Sequence, residues 1–138
     1  MKLICYIDGA SRGNPGPAGI GVFIKTESGD ELLRKSKSIG LATNNVAEYK
    51  ALILALEQIQ KLEIALDSVE IRSDSQLLVK QMQGEYRIKN PTLAKLAAKA
   101  NELIQSKTFG EVKFVHIPRK FNKIADNLAN IGSSLNKL

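Results

Sequence analysis

The spacing of the apolar residues changes after the first third of the chain, and this change most limits the folds that the chain can adopt. Before it, three apolar runs at residues 2–8, 19–25 and 31–39 have the character of β-strands. A dense turn signal at 9–17 separates the first two runs, and a short turn at 28–30 separates the second from the third. Connections this short predict three antiparallel strands that are neighbours in sequence order.

Beyond this point, helical and strand patterns alternate. Apolar residues recur at helical spacing over 44–61, over 74–83 and in a segment that Pro91 opens. Strand-like runs occupy 68–72 and 111–117. A last helix is predicted after these, with a single apolar stripe formed by Phe121, Ile124, Leu128, Ile131 and Leu135.

The resulting order of elements, βββ-α-β-α-α-β-α, predicts an α/β fold in one domain that spans residues 1–138. Strands that alternate with helices are joined by parallel crossovers, so the fourth and fifth strands are expected to run parallel to the first. Together with the antiparallel opening, this gives a five-stranded mixed sheet flanked by helices.

Net charge indicates the class of binding partner, and cysteine content indicates the cellular compartment. Twenty Lys and Arg against fourteen Asp and Glu give a net charge of +6 and a pI near 9.5, which favours nucleic acid over other partners. No apolar run reaches the ~20 residues that span a membrane, and no signal peptide is expected. The single cysteine, Cys5, lies in an apolar run, which predicts an inert core thiol and a reducing, cytoplasmic location.

Four acidic residues stand where the predicted fold could gather them. Asp8 ends the first strand and Asp74 follows the fourth, so parallel neighbours would bring both to one edge of the sheet. Glu48 is expected in the first turn of the helix after the third strand, and Asp126 in the last helix. Oxygen-only ligands favour Mg²⁺ or Mn²⁺, and two such ions about 4 Å apart suit phosphodiester chemistry.

Two of these residues also have a purely structural interpretation. Asn45 and Glu48 have the spacing of a helix N-cap and its capping-box partner. Ser73 and Gln76 have the same spacing, and Asp74 would then be favourable near a helix N-terminus. Spacing alone leaves both interpretations open.

The other candidates differ in how easily they can be dismissed. Asp126 lies off the predicted apolar stripe, where most aspartates are simply solvated, and a lone histidine such as His116 is usually structural. Asp8 follows a strongly apolar strand and precedes a Gly-rich turn, where a buried charge needs partners.

The chain resembles the type 1 ribonuclease H family over nearly its whole length. The matching segments are YIDGASRGNPGPAGIG at 6–21, TNNVAEYKAL at 43–52, SDSQ at 73–76 and NKIADN at 122–127. They occur in the order that the family has, each in its expected structural context. The resemblance implies the ribonuclease H-like fold and endonucleolytic hydrolysis of the RNA strand of RNA–DNA hybrids, which leaves 5′-phosphate and 3′-hydroxyl ends.

The resemblance also assigns roles to individual residues. It implies two Mg²⁺ ions, for which Mn²⁺ may be substituted, bound by the carboxylates of Asp8, Glu48, Asp74 and Asp126. Contacts to the RNA strand are assigned to Gly9, Ala10, Ser11, Asn44, Asn45 and Gln76. Main-chain groups and amides of this kind suit the sensing of ribose 2′-hydroxyls. A DNA-phosphate pocket is assigned to Asn14 and Thr43.

The chain departs from the family pattern in two places. Many members insert a basic, aromatic helix and loop, whereas residues 81–90 here are short and lack Trp, as in the subgroup without the basic protrusion. We expect weaker and more salt-sensitive substrate binding, compensated in part by Arg87, Lys89, Lys95 and Lys99. Members often carry a catalytic-helper histidine before the last aspartate; His116 fits this pattern, but Arg119 lies closer to Asp126 along the chain and is favoured.

Other functions on this scaffold remain open from the sequence. The amides that suit ribose sensing argue against a DNA resolvase but do not exclude cleavage of double-stranded RNA. A non-catalytic hybrid-binding module would have no need of four intact carboxylates. A monomer is expected, since no motif indicates an interface.

Overall fold

A computed structural model describes residues 1–106 and 109–135 of the chain. Its elements are β1 (Lys2–Ser11), β2 (Gly16–Thr26), β3 (Glu31–Ala42), α1 (Asn44–Lys61), β4 (Ser68–Ser73), α2 (Gln76–Met82), α3 (Pro91–Ile104), β5 (Glu111–His116) and α4 (Lys123–Leu135), with a 3₁₀ turn at Arg119–Phe121. The sheet has the order β3-β2-β1-β4-β5. β1, β2 and β3 pair antiparallel, and β4 runs parallel to β1 and to β5, so the predicted mixed sheet is confirmed.

The opening strands extend further than the sequence predicted. The β1–β2 ladder continues through the glycines to the pair Ser11↔Ala18, and the Arg12 amide donates to the Pro17 carbonyl at 2.8 Å. The predicted turn at 9–17 therefore shrinks to residues 12–15. Glycine is a weak strand former, but Gly19 and Gly21 of β2 pair with both β1 and β3, which satisfies their backbone groups and carries the ladder through them.

The core lies between α1 and one face of the sheet. Leu3, Cys5 and Ile7 alternate along β1 with residues of the opposite face, and all three are fully buried. α1 packs against β1 and β2 on this side, and α3 packs against α1. Cys5 is a buried core thiol, as the sequence predicted, and burial raises its pKa.

No helix within residues 1–106 and 109–135 is long and apolar enough to cross a membrane.

α4 covers the other face of the sheet, and the side of the helix that contacts the sheet differs from the one that the sequence predicted. A methyl group at Gly19 would lie 2.1 Å from the Ser133 amide nitrogen, and one at Gly21 would lie 2.3 Å from the Ala125 carbonyl oxygen. The helix therefore lies directly on the backbone of β2. It buries only small residues, which are Ala125, Ala129, Gly132 and Ser133.

The predicted apolar stripe of this last helix is wrong at three of its five residues. Phe121 precedes the helix and is 63% exposed, while Ile131 and Leu135 are 53% and 51% exposed. Ile124 and Leu128 are half-buried, and Leu128 Cβ would lie 2.7 Å from a methyl group at Gly21. A helix that touches a glycine-lined strand has little room for large side chains at the contact, so Ile131 and Leu135 turn away from it.

Candidate active site

The parallel pairing of β1 with β4 brings Asp8 and Asp74 together. The two strands are in register through the pair Ile7↔Ser73, and each aspartate is the next residue of its chain. Both therefore lie at the carboxyl end of the sheet, where α/β folds place their ligands. Asp8 is 4% exposed, and it also pairs with Gly21 of β2.

α1 brings Glu48 to the same place through a backbone contact at Gly9. A methyl group at Gly9 would lie 2.4 Å from the Ala47 carbonyl carbon and 2.5 Å from the Glu48 amide nitrogen. Only glycine allows this approach of strand and helix. Glu48 lies in the second helical turn, so the prediction that it belongs to the first turn is wrong.

The capping interpretation of Glu48 is also wrong. The N-cap of α1 is Thr43, whose hydroxyl oxygen accepts the Val46 amide at 3.2 Å. Asn45 is therefore already inside the helix, and Glu48 has no N-cap partner.

The capping interpretation around Asp74 fails for a similar reason. Ser75 caps α2, and its hydroxyl oxygen accepts the Leu78 amide at 3.2 Å. The Ser73 hydroxyl oxygen instead accepts the Ser75 amide at 3.0 Å. The predicted helix at 74–83 thus begins at Gln76, and Asp74 lies before it in the connection from β4.

Three carboxylates, two of them buried and that of Asp74 half-buried, form a tight cluster. Asp8, Glu48 and Asp74 each offer an oxygen within 4.8 Å of the others. Burial raises the pKa of Asp8 to about 8, helped by the charge of Asp74. Burial also raises the pKa of Glu48 well above its usual range, with the charges of Asp8 and Asp74 adding to the effect. Glu48 Oε2 is buried without a hydrogen-bond partner.

This cluster has the character of a divalent-cation site. Repulsion among buried carboxylates is relieved either by protonation or by bound cations. An all-oxygen donor set with one unpartnered buried oxygen fits a hard cation.

Asp126 reaches the cluster from α4. It raises the pKa of Asp8 through a side-chain hydrogen bond and through its charge. Asn130 Nδ2 donates to Asp126 Oδ1 at 3.3 Å, and the Asp126 side chain is 24% exposed. All four carboxylates line one cavity of about 360 Å³ together with Gly9, Ala10, Ser11, Asn44, Arg119 and Asn130. The interpretation of Asp126 as a simply solvated residue does not fit this position.

Known proteins share both the sequence and the fold of this chain. A family model described as reverse transcriptase-like matches residues 6–132. Ribonuclease HI of Halobacterium salinarum is 43% identical over 129 residues, which cover 94% of this chain and 63% of that protein. The crystal structure of RNase H1 from the same organism has a TM-score of 0.90 at 40% identity, covering 97% of this chain and 98% of the other. LC11-RNase H1, solved in complex with an RNA/DNA hybrid, has a TM-score of 0.93 at 46% identity and 99% coverage of both chains.

The chain belongs to the ribonuclease H family.

A second curated relative shows how the lengths compare. A bifunctional protein of Mycobacterium tuberculosis is 43% identical over 131 residues, which cover 94% of this chain but 35% of that protein. The chain thus spans between about one third and two thirds of the length of these curated ribonuclease H relatives.

Asn122 is a site residue that the residue-by-residue argument missed. It is 1% exposed, and its Nδ2 donates to the Ile7 carbonyl at 2.9 Å and to Asp74 Oδ2 at 3.1 Å. The backbone carbonyl oxygen of Asn122 accepts the Asp126 backbone amide at 3.0 Å. One asparagine therefore ties together the end of β1, the carboxylate of Asp74 and the start of α4. The signal was its place at the head of the ribonuclease H segment 122–127.

The predicted RNA-strand contacts fall into two groups. Gly9, Ala10, Ser11 and Asn44 line the catalytic cavity, and the Ser11 amide donates to Asn44 Oδ1 at 3.1 Å. Asn45 and Gln76 are exposed residues in the first turns of α1 and α2 and do not line that cavity.

The two residues predicted for a DNA-phosphate pocket lie close together. Asn14 Oδ1 accepts the Asn44 amide at 3.0 Å, so the loop after β1 is held to the start of α1. Thr43 is the residue before Asn44 and caps the same helix. Asn14 is exposed and Thr43 half-buried, so both border the surface next to the cavity.

His116 and Arg119 both lie near the carboxylates. Arg119 lines the catalytic cavity, and its Nη2 lies 3.5 Å from Asp126 Oδ1. His116 ends β5, pairs with Ser73, and has its Nε2 3.3 Å from the Asp74 carbonyl oxygen. Arg119 thus faces a carboxylate, whereas His116 contacts the backbone.

Proposed function

We propose that this chain is a metal-dependent endonuclease that hydrolyses the RNA strand of RNA–DNA hybrids and leaves 5′-phosphate and 3′-hydroxyl ends. The observation that carries the proposal is the cluster of Asp8, Glu48 and Asp74, with oxygens within 4.8 Å and an unpartnered buried oxygen on Glu48. Membership of the ribonuclease H family and the hybrid complex of LC11-RNase H1 support the choice of substrate.

Two Mg²⁺ ions are proposed as the cofactors, with Mn²⁺ as a substitute. The residues that would hold them are Asp8, Glu48, Asp74 and Asp126. When bound, such ions stabilise the attacking and leaving oxygens of an in-line displacement at phosphorus. Mg²⁺ is favoured over zinc because the cluster offers only carboxylate oxygens.

The protein's own groups would orient the carboxylates and the strands. Asn122 fixes the carboxylate of Asp74, and Arg119 faces that of Asp126. The Asn44 side chain lies on the cavity wall, where its Oδ1 accepts the Ser11 N–H and its Nδ2 would donate to the 2′-hydroxyl that distinguishes RNA from DNA. These contacts address the sugar and the backbone, so we expect little dependence on base sequence.

Partner and location are part of the same proposal. We infer that the chain acts as a monomeric single domain on RNA–DNA hybrid in the cytoplasm. The net charge of +6 supports a polyanionic substrate, and the buried, unpaired Cys5 suits a reducing compartment. Action on double-stranded RNA is left to the experiment.

The experiment is a cleavage assay with end-labelled RNA–DNA hybrid, RNA–RNA and DNA–DNA duplexes in Mg²⁺, Mn²⁺ or EDTA. We expect metal-dependent cutting of the RNA strand of the hybrid and a fall of at least about 10²-fold for Asp74→Asn. Asp67→Asn is the matched control, since Asp67 lies at the opposite end of the sheet and pairs with the N-terminal amine. Absence of cutting in every duplex would refute the proposal, and cutting of RNA–RNA alone would correct the substrate.

A further inference from the structure

A second cavity, of about 240 Å³, opens on the α4 side of the sheet. Its floor is formed by Tyr6 and Phe23, whose rings stack with centroids 5.7 Å apart and planes at 28°. Phe121 forms one wall and is 63% exposed. The cavity is smaller than the ~300 Å³ at which pockets for drug-sized ligands begin, so it suits one flat ring. We call it the basic-aromatic groove.

The rim of the groove carries unneutralised positive charge. Three lysines line it, and none of them pairs with a carboxylate in the part of the chain that the structure describes: Lys25, Lys120 and Lys123. Two of them lie over rings, with Lys25 Nζ 5.8 Å from the Tyr6 centroid and Lys120 Nζ 5.1 Å from that of Phe121.

The neighbouring arginines of the same sheet face are neutralised. Arg34 lies over Phe23 and pairs with Glu31 at 2.8 Å, while Arg72 lies over Tyr6 and pairs with Glu70 at 2.6 Å. The lysines of the groove, in contrast, have no carboxylate partner among the described residues, and no acidic residue contributes to the lining of the groove.

The groove lies next to the catalytic cavity, on the other side of the 3₁₀ turn. The 3₁₀ turn separates the two, with Arg119 on the catalytic side and Phe121 on the groove side. Asn122 lines the groove and donates to the Asp74 carboxylate at 3.1 Å. A strand that leaves the active site would cross only this turn to reach Phe121.

We propose that the basic-aromatic groove binds a single-stranded stretch of nucleic acid that adjoins the paired substrate. An unpaired base would stack on Phe121, and its flanking phosphates would lie against the lysines. Only an unpaired base presents its face, because the bases of a duplex stack on one another. An acidic peptide would meet the lysines but would leave the exposed ring without a flat partner.

The proposal also predicts that the groove binds ribose and deoxyribose strands equally well. Both hydrogens of Asn122 Nδ2 are engaged, by the Ile7 carbonyl and by Asp74, and its Oδ1 is buried, so the groove presents no free side-chain amide donor to a 2′-hydroxyl. Single-stranded DNA and single-stranded RNA should therefore bind alike.

The test measures binding of fluorescent oligo(dT), oligo(rU) and a DNA duplex by anisotropy in EDTA at low salt. We expect Phe121→Ala to weaken binding of both single strands about tenfold and to leave duplex binding within twofold. Lys120→Ala and Lys123→Ala should each lower the salt slope for oligo(dT) by about 0.7. Ile131→Ala is the matched control, because it truncates an exposed apolar residue of α4 outside the groove.

A second measurement ties the groove to the substrate, and here the inference rests on the proposed function. Hybrid with a single-stranded overhang should show a lower KM than blunt hybrid, and Phe121→Ala should abolish that difference without changing kcat on blunt hybrid. Equal losses for single strand and duplex would overturn the proposal, as would displacement of oligo(dT) by polyglutamate at equal charge. Because the binding assay needs no cleavage, its failure is distinct from failure of the proposed nuclease activity.

Discussion

Asp8 occupies a position where a negative charge is unfavourable in the folded chain. Burial raises its pKa to about 8, and the nearby charge of Asp74 contributes. Its ordinary value is 3.8, so between these two pH values the folded state holds a proton that the unfolded state has released. Without cations, the free energy of unfolding therefore decreases as the pH rises from about 4 to about 8.

Replacing Asp8 should remove this dependence on pH. In EDTA at pH 8 we expect Asp8→Asn to raise Tm by about 5 °C, because it removes an unfavourable buried charge worth on the order of 2 kcal/mol. At pH 4 the two proteins should melt together. Thermal melts followed by circular dichroism across this pH range provide the measurement.

Asp67→Asn is the control for that experiment. Asp67 pairs with the N-terminal amine, and the hydrogen bond and charge of that amine lower its pKa, so its effect on stability has the opposite sign. Parallel melting curves of the wild type and Asp8→Asn at every pH would contradict the electrostatic account of the cluster.

Arg119 is expected to assist catalysis more than His116. Its guanidinium lines the catalytic cavity 3.5 Å from Asp126, whereas the His116 ring lies 3.3 Å from a backbone group, the Asp74 carbonyl oxygen. We expect Arg119→Ala to lower kcat about tenfold, with partial recovery in Arg119→Lys, and His116→Ala to lower it less. Steady-state kinetics on hybrid decide this, and a larger loss in His116→Ala would reverse the assignment.

The carboxylates were easier to find in the sequence than Asn122, the asparagine that donates to the carboxylate of Asp74. Asp8 and Asp74 follow strands, so their meeting could be inferred from parallel pairing. Asn122 could not be inferred in this way, because its partners are the Ile7 carbonyl and a carboxylate more than forty residues away. A hydrogen bond between distant segments leaves no periodic trace in a sequence.

Among the elements, α4 shows most clearly where pattern reasoning fails. Periodicity gives weight to large apolar residues, and these predicted a stripe that includes Ile131 and Leu135. The helix instead buries alanine, glycine and serine, because Gly19 and Gly21 leave the backbone of β2 bare beneath it. Contact between two backbones favours small residues, to which a hydrophobic pattern gives little weight.

Substitution at this contact should destabilise the whole domain. A methyl group at Gly21 would lie 2.3 Å from the Ala125 carbonyl oxygen, so the helix must move. We expect Gly21→Ala to lower the free energy of unfolding by about 3 kcal/mol, measured by urea denaturation. Gly29→Ala is the control: its φ of +104° costs about 1 kcal/mol, but no atom lies within 4 Å of the added methyl group. Equal losses in both variants would show that the contact with α4 is not tight.

At the scale of the whole molecule, the order of elements along the chain and the direction of the strands were predictable, because most elements have a clear period and the first three strands are joined by short turns. The connection between α2 and α3 is short, and residues 83–90 form no further helix. Between these two helices there is no counterpart of the basic, aromatic helix and loop that many family members insert, as the sequence predicted. Binding of the proposed hybrid substrate must then depend on basic side chains spread over the surface.

We expect hybrid binding to be weak and strongly salt-sensitive. Arg87 and Lys89 are exposed in the short connection, so the double variant Arg87→Ala/Lys89→Ala should reduce the slope of log K against log salt by about 2. Lys61→Ala, at the far end of α1 from Glu48, should leave the slope unchanged. Filter binding or anisotropy at several salt concentrations gives the slopes. Affinity and slope equal to those of a homologue with the basic protrusion would argue against this expectation.

The direct seating of α4 on β2 has a consequence for how such a protein can change over time. Asp126 reaches the other carboxylates through a contact between two main chains, with no layer of side chains between them. Residues of the opposite core, such as Leu52 and Leu56, can then be exchanged for others of similar volume without moving Asp126. Of the carboxylates in the cavity, Asp126 is therefore the one least coupled to the composition of that core, whereas Glu48 belongs to the same helix as Leu52 and Leu56.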